Sequence, residues 1–235
     1  MNHPLRTLVL FPIGLWLLAT AAGAHAEMQL DNSIIVFEPG QPARKDVTVS
    51  NTGEQPLYLK VTPFAIEQAG TSRQTRRKIV DPRKAGLLIT PNKLVIPPGG
   101  RKRIRFVNLD PARSEEGVFR VTIEPVAGEL QASASGVKVM VGYEVLVLAQ
   151  PHNPRPDIRA TRDGNRLVLH NRGNTDVYLF RGKQCRSSEG ATESCTELRD
   201  RRLYPGNEWV LELPHDGPVE FHLAIGNKNT LKTFN

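Results

Sequence analysis

The stretch VKVMVGYEVLVL, residues 137–148, is the longest predicted strand of this 235-residue chain. Its odd positions form a continuous apolar face, whereas its even positions become apolar only at Leu146 and Leu148. Because successive side chains of a strand point to opposite faces, the second half is predicted to be buried on both faces and the first half on one. The spacing leaves two interpretations open: an inner strand of its own sheet, or a strand that projects and pairs with a partner.

Short alternating segments of the same kind precede this stretch. Seven such segments with turn residues between them are typical of an immunoglobulin-like sandwich, and they are residues 28–37, 45–50, 57–66, 87–96, 102–107, 117–124 and 137–148. The basic run from Arg73 to Lys84 shows no such alternation and is predicted to be a solvated loop.

A second, smaller sandwich is predicted after the proline-rich segment QPHNPRP, residues 150–156, which is typical of a stiff connection between domains. Five further alternating segments follow it, at residues 157–161, 166–171, 176–181, 208–213 and 219–225. The predicted fold is therefore all-β with two immunoglobulin-like domains, at residues 27–150 and 157–235, joined by a linker at residues 151–156.

The first 26 residues have the features of a secretory signal peptide. Arg6 precedes an apolar stretch from Leu8 to Leu18, and the small residues Ala24 and Ala26 flank His25. The apolar stretch contains Pro12 and is too short to span a bilayer, which argues against a membrane anchor. Cleavage is predicted after Ala26.

The two cysteines of the chain, Cys185 and Cys195, are predicted to form a disulfide. An exported chain meets an oxidising compartment, where a nearby cysteine pair is most simply a disulfide. A zinc site needs two more ligands at suitable spacing, and the nearest histidines, His170 and His215, do not provide it. No metal and no cofactor are predicted.

Composition and motifs argue against several function classes. The net charge of +7 could suit nucleic acid, but its basic residues are spread over separate segments and an exported protein rarely meets nucleic acid. There is no G-x-S-x-G, P-loop or H-E-x-x-H motif, so neither an enzyme nor a small-molecule substrate is predicted. The remaining alternatives are a structural protein of the pilus and a periplasmic carbohydrate- or protein-binding module. For a sugar platform, Trp209 is the only tryptophan outside the signal segment.

The order of several short motifs resembles that of the periplasmic chaperones of chaperone–usher pili, and more closely the alternate branch that serves class 5 and related fimbriae. In the first half these motifs are LLITPNKLVIPP at 87–98 with Gly99, RIRF at 103–106 and VFRVT at 118–122. In the second half they are the cysteine pair and LYPG at 203–206.

The resemblance implies a fold, a function and a set of partners. The two domains would form an L around a cleft, and the protein would bind pilin subunits that lack the last strand of their own sandwich. It would lend its long strand as a temporary replacement by strand addition, with Val137, Val139 and Val141 as the lent side chains, and pass each pilin to an outer-membrane usher. Self-association of free chaperones is a further expectation that follows from an exposed strand.

One departure from the better-known pilus chaperones concerns the terminal carboxylate of the pilin. Those proteins bind it with an Arg on the first strand and a Lys on the long strand, and the matching positions here are Ile34 and Leu146. The predicted substitutes are Arg120, then Arg105, then Lys138. A structural alternative is that Arg120 pairs with one of three acidic residues near it in the sequence, Glu115, Glu116 and Glu124.

Overall fold

The structure is a computed structural model that describes residues 28–126, 140–186 and 194–235. These residues form eighteen strands and one four-residue helix. In the first half the elements are β1 (Met28–Leu30), β2 (Ile34–Phe37), β3 (Arg44–Asn51), β4 (Leu57–Glu67), β5 (Thr75–Lys78), α1 (Pro82–Ala85), β6 (Leu87–Thr90), β7 (Lys93–Ile96), β8 (Arg101–Asn108), β9 (Gly117–Pro125) and β10 (Tyr143–Ala149). In the second half they are β11 (Ile158–Asp163), β12 (Arg166–Asn171), β13 (Val177–Cys185), β14 (Cys195–Leu198), β15 (Arg201–Leu203), β16 (Glu208–Glu212), β17 (Val219–Ile225) and β18 (Lys228–Phe234).

The first sandwich packs two sheets face to face. Within the described residues, one sheet has the order β1-β3-β8-β6, and the other has the order β2-β10-β9-β4-β5 with β7 also paired to β4. The alternating side chains that face inward form one core, in which Val47, Ile104, Phe106, Val121 and Val145 have no exposed surface. Burial of such side chains is the main stabilising term of a sandwich.

The second sandwich has its own core. Its described strands form a sheet in the order β11-β12-β16 and a sheet in the order β14-β13-β17-β18, with β15 also paired to β13. Trp209 and Phe221 pack against each other in this core with ring centroids 5.6 Å apart. The predicted all-β fold with two immunoglobulin-like sandwiches is confirmed. The predicted boundaries at 27–150, 151–156 and 157–235 stay a prediction, which the positions of the strands support.

Several predicted elements differ from the structure. The segment 28–37 was expected to be one strand but forms β1 and β2, which belong to different sheets. The predicted solvated loop at Arg73–Lys84 is wrong in part, because it contains β5 and α1. In the described part of the long segment 137–148, strand structure begins only at Tyr143. Val137, Lys138 and Val139 lie outside the described residues.

The short helix α1 follows from its local sequence. The side chain of Asp81 accepts hydrogen bonds from the backbone N–H groups of Arg83 and Lys84, and Pro82 occupies the first turn. Gly86 ends the helix with a positive φ of 79°, a conformation that glycine adopts without a steric penalty. These signals turn the chain from β5 towards β6.

The predicted disulfide is confirmed between Cys185 and Cys195, which lie directly opposite each other on β13 and β14. The bond closes a loop with a sequence separation of 10 residues. A cross-link of this kind stabilises a small domain chiefly by restricting its unfolded chain.

Replacing both cysteines with serine is expected to lower the free energy of unfolding by about 2 to 3 kcal/mol, as loop-closure entropy gives for a loop of roughly ten residues. Urea unfolding of the oxidised protein and of the double variant measures the difference. Reductant should destabilise only the parent protein. Equal unfolding free energies for the two proteins would contradict this role of the disulfide.

Candidate functional site

The edge of β10 that faces β2 is only partly paired. β2 lies parallel to β10, and its register begins with Ile34 opposite Leu146 and ends with Phe37 opposite Ala149. On the other side β9 pairs with β10 over its whole length, from Tyr143 onward. Among the described residues, Tyr143–Val145 therefore have a strand neighbour on one side only. The backbone groups on the free side are available to a further strand.

Uncovered apolar side chains lie directly before this free edge. Met140 is 43% exposed and Val141 is 51% exposed. By contrast, Val145, Leu146, Val147 and Leu148 are buried, so the prediction that the second half of the stretch is covered on both faces is confirmed. Apolar side chains next to an unpaired strand edge are a feature of surfaces that bind a partner.

The sheet that contains β10 places Arg120 beside the position of the expected but missing anchor. Ile34 on β2 lies opposite Leu146, and Leu146 lies opposite Arg120 on β9. The next residue in this row is Phe64 on β4, which lies opposite Arg120. Directly opposed residues of neighbouring strands share a face. Arg120 therefore lies on the same face as Leu146, one strand away.

Two arginines on this face share one carboxylate. The Nη1 atom of Arg76 is 2.6 Å from Oε2 of Glu144, and the Nε atom of Arg120 is 3.6 Å from Oε1 of the same residue. Arg76 comes from β5 at the far side of the sheet, and its guanidinium group lies 3.9 Å from the centre of the Phe64 ring. It also donates a hydrogen bond to the Thr122 hydroxyl. The alternative pairing of Arg120 with Glu115, Glu116 or Glu124 is not the arrangement found in the described residues.

The other predicted anchor residues lie elsewhere. Arg105 lies on β8 in the opposite sheet, where its Nε and Nη2 atoms donate to the two carboxylate oxygens of Asp46 at 2.8 and 2.9 Å. This pairing lowers the pKa of Asp46, chiefly through the hydrogen bond from Arg105. Lys138 lies outside the described residues. The structure therefore brings Arg120, but not Arg105, into the sheet of β10.

The same sheet face contacts the second sandwich. Val118, Leu146 and Leu148 from the first sandwich form a buried apolar cluster with Tyr204 from the second and with Ala69. The side-chain nitrogen of Asn207 donates to the carbonyl oxygen of Ala69 at 2.9 Å. Burial raises the pKa of the Tyr204 phenol, whereas the nearby guanidinium groups of Arg120 and Arg202 act in the opposite direction. Arg120 and its carboxylate therefore lie where the two sandwiches meet.

A buried carboxyl group, Glu116, also connects the two sandwiches. Its Oε2 atom accepts a short hydrogen bond from the backbone N–H of Asp176, and Asp176 pairs with Arg202. Its Oε1 atom is buried and has no hydrogen-bond partner within the described residues. Burial, followed by the proximity of Asp176, raises the pKa of Glu116 well above its usual range. Arg113, whose pKa is lowered by burial, and Arg202 are the cations nearest to it.

Replacing Glu116 with Gln is expected to flatten the pH dependence of stability. Because the folded protein binds the Glu116 proton more tightly than the unfolded chain, its unfolding free energy falls as the pH rises above about 4, by up to about 1.4 kcal/mol for each pH unit. The Gln variant lacks this contribution and is therefore expected to become relatively more stable at pH 8 than at pH 5. Urea unfolding at both pH values tests this expectation, and parallel pH profiles of the two proteins would contradict it.

Two other kinds of site were sought in the described parts of the chain. No helix there has the length and apolar character needed to cross a membrane. The described histidines, cysteines and carboxylates form no group of three that could hold a metal ion.

The fold and this site define a class of protein: two β-sandwiches in contact, with a half-paired strand and uncovered apolar side chains beside their boundary. A family model described as "Pili and flagellar-assembly chaperone, PapD N-terminal domain" matches residues 27–155. This match covers more than half of the chain, and the chain therefore belongs to that family of pilus-assembly chaperones. The expected resemblance is confirmed, and the family match does not favour the alternatives of a structural pilus protein or a sugar-binding module.

Individual proteins agree with this assignment. The chain is 25% identical over 173 residues to a CS1 fimbrial protein of Escherichia coli, covering 69% of this chain and 71% of that protein. The class 5 fimbriae chaperone CfaA superposes with a TM-score of 0.66 at 19% identity, covering 88% of this chain and 99% of that one. The Salmonella enterica SafB chaperone, solved in complex with the SafA pilin, superposes with a TM-score of 0.61 at 16% identity, covering 91% and 98%. These superpositions establish the fold.

Proposed function

We propose that this protein is a periplasmic chaperone that binds fimbrial subunits by strand donation, prevents their aggregation and delivers them to an outer-membrane usher. The observation that carries this proposal is the free edge of β10, preceded by the uncovered side chains of Met140 and Val141, in a member of the pilus-chaperone family. The relative SafB binds a pilin, which supports a pilin as the partner here. Delivery to an usher rests on the family resemblance.

The lent segment is proposed to be residues 137–141. An incomplete sandwich in the pilin would gain main-chain hydrogen bonds along this segment, and alternate side chains would fill its open groove. Val137, Val139 and Val141 have the alternation that such a groove requires. Each valine contributes roughly 1.5 kcal/mol or somewhat more when it is fully buried. The buried residues Val145–Leu148 stay in the chaperone's own fold.

Arg120 is proposed as the principal anchor for the terminal carboxylate of the pilin. It lies one strand from Leu146, on the face that borders the second sandwich, and its side chain is 36% exposed. A guanidinium group binds a carboxylate through charge-assisted hydrogen bonds. The position of Arg105, paired with Asp46 on the other sheet, gives it less support. Lys138 stays the third candidate.

Replacing both Val139 and Val141 with Glu is expected to abolish formation of a 1:1 complex with a pilin co-expressed from the same operon. Charged side chains cannot enter an apolar groove without a large desolvation cost. Affinity purification from periplasmic extracts followed by size-exclusion chromatography measures the complex.

A matched control is Val210→Glu, since Val210 is a similarly uncovered valine on the second sandwich, at 45% exposure. This variant should retain the complex. Retention of pilin binding in a folded V139E/V141E protein would argue against strand donation by this segment.

The export step makes a separate prediction. The family match begins at residue 27, directly after the proposed cleavage site at Ala26. Protein isolated from the periplasm should therefore begin with Glu27, which intact-mass measurement and N-terminal sequencing can establish. A full-length protein that begins with Met1 in that compartment would contradict cleavage.

A further inference from the structure

We propose that Arg76 and Arg120 together bind the terminal carboxylate of the pilin, and that Glu144 occupies the two guanidinium groups until that terminus displaces it. This inference rests on the function proposed above and adds a second cation and a resident carboxylate to the site. It assigns roles to two residues that the family resemblance does not.

The pairing of β2 fixes where an added strand must end. β2 occupies the edge of β10 from Leu146 onward, so a strand added along the free edge can extend only as far as Val145. β2 itself runs parallel to β10. A partner strand that runs in the same direction ends with its carboxyl-terminal residue beside Glu144 and Val145. Its α-carboxylate then lies next to the row that contains Arg120.

The charge of the cluster suits an incoming anion. Two guanidinium groups share the single carboxylate of Glu144, which leaves an excess of one positive charge. The three side chains are between 36% and 40% exposed, so a ligand can reach them. Lys78 lies opposite Phe64 in the same row of the sheet and adds a further cation nearby. A second carboxylate would therefore meet a favourable local potential.

Arg76 is held in place before any partner binds. Its guanidinium group lies over the Phe64 ring, and it donates to both Thr122 and Glu144. Arginine held by stacking and by hydrogen bonds loses little conformational freedom on binding an anion. Glu144 thus acts as a positioning residue that keeps both arginines directed towards the end of the free edge.

The test compares two forms of the co-expressed pilin, one with a free α-carboxylate and one with an α-amide introduced by intein cleavage. Competition binding gives the affinity ratio of acid to amide for each chaperone variant. The parent protein should prefer the acid by about tenfold or more, as expected for hydrogen bonds between charged groups. Arg76→Gln should lose most of this preference while its affinity for the amide stays unchanged.

Three further variants sharpen the result. Glu144→Gln removes the competing carboxylate and should raise the acid preference several-fold. Arg76→Lys keeps the charge without the fork and should give an intermediate preference. Arg77→Gln is the matched control, because Arg77 lies on the same strand but pairs with Glu67 at 2.9 Å, and it should match the parent.

The outcomes separate this inference from the proposed function. If the parent protein binds neither form of the pilin, the chaperone function itself fails. If it binds the pilin but Arg76→Gln leaves the ratio of acid to amide unchanged, only this inference is overturned. A Glu144→Gln variant that binds the acid form less tightly than the parent would also overturn it, because Glu144 would then help to hold the partner.

Discussion

The parallel pairing of β2 with β10 determines what the rest of this protein can do. It starts at Leu146, so it closes the edge of β10 next to the second sandwich and leaves Tyr143–Val145 open. An unpaired strand edge favours association with another chain. Since the pairing also closes the remainder of that edge, it limits association to one place and sets where an added strand must end. Position and stopping point thus arise from the same few hydrogen bonds.

The second sandwich keeps this edge next to its cluster of charges. Tyr204 packs against Leu146 and Leu148 on the outer face of the sheet, and Asn207 holds Ala69 through a side-chain hydrogen bond. Glu116 contributes a buried contact whose strength depends on its proton. Because apolar packing covers the outer face up to Leu146, the polar residues that border it, Arg120 and Glu144, lie at the limit of the covered surface. An incoming strand therefore meets charge where the apolar contact between the sandwiches ends.

Much of the fold follows from alternation, but partner choice among strands does not. The segments at 45–50, 57–66 and 117–124 alternate strictly, and the structure confirms them as β3, β4 and β9. The apolar pattern of 28–37 continues through Asp31–Ser33, so periodicity could not show that the chain crosses there from one sheet to the other. β5 has four exposed side chains and no apolar alternation, which explains why its sequence resembled a loop. Its pairing comes from the neighbouring β4, not from its own pattern.

The candidate site shows the same division at the level of single residues. Sequence comparison located Ile34 and Leu146, and the sheet register pairs these two residues directly. It also gave Arg120, because that residue lies in a recognisable motif. Arg76 could not be found in this way, since its contact with Glu144 spans β5, β4, β9 and β10, which only the order of strands brings together. A cation can serve one point on a sheet from any strand within reach of its side chain. The chemistry of such a site therefore depends on sheet topology more than on any one aligned position.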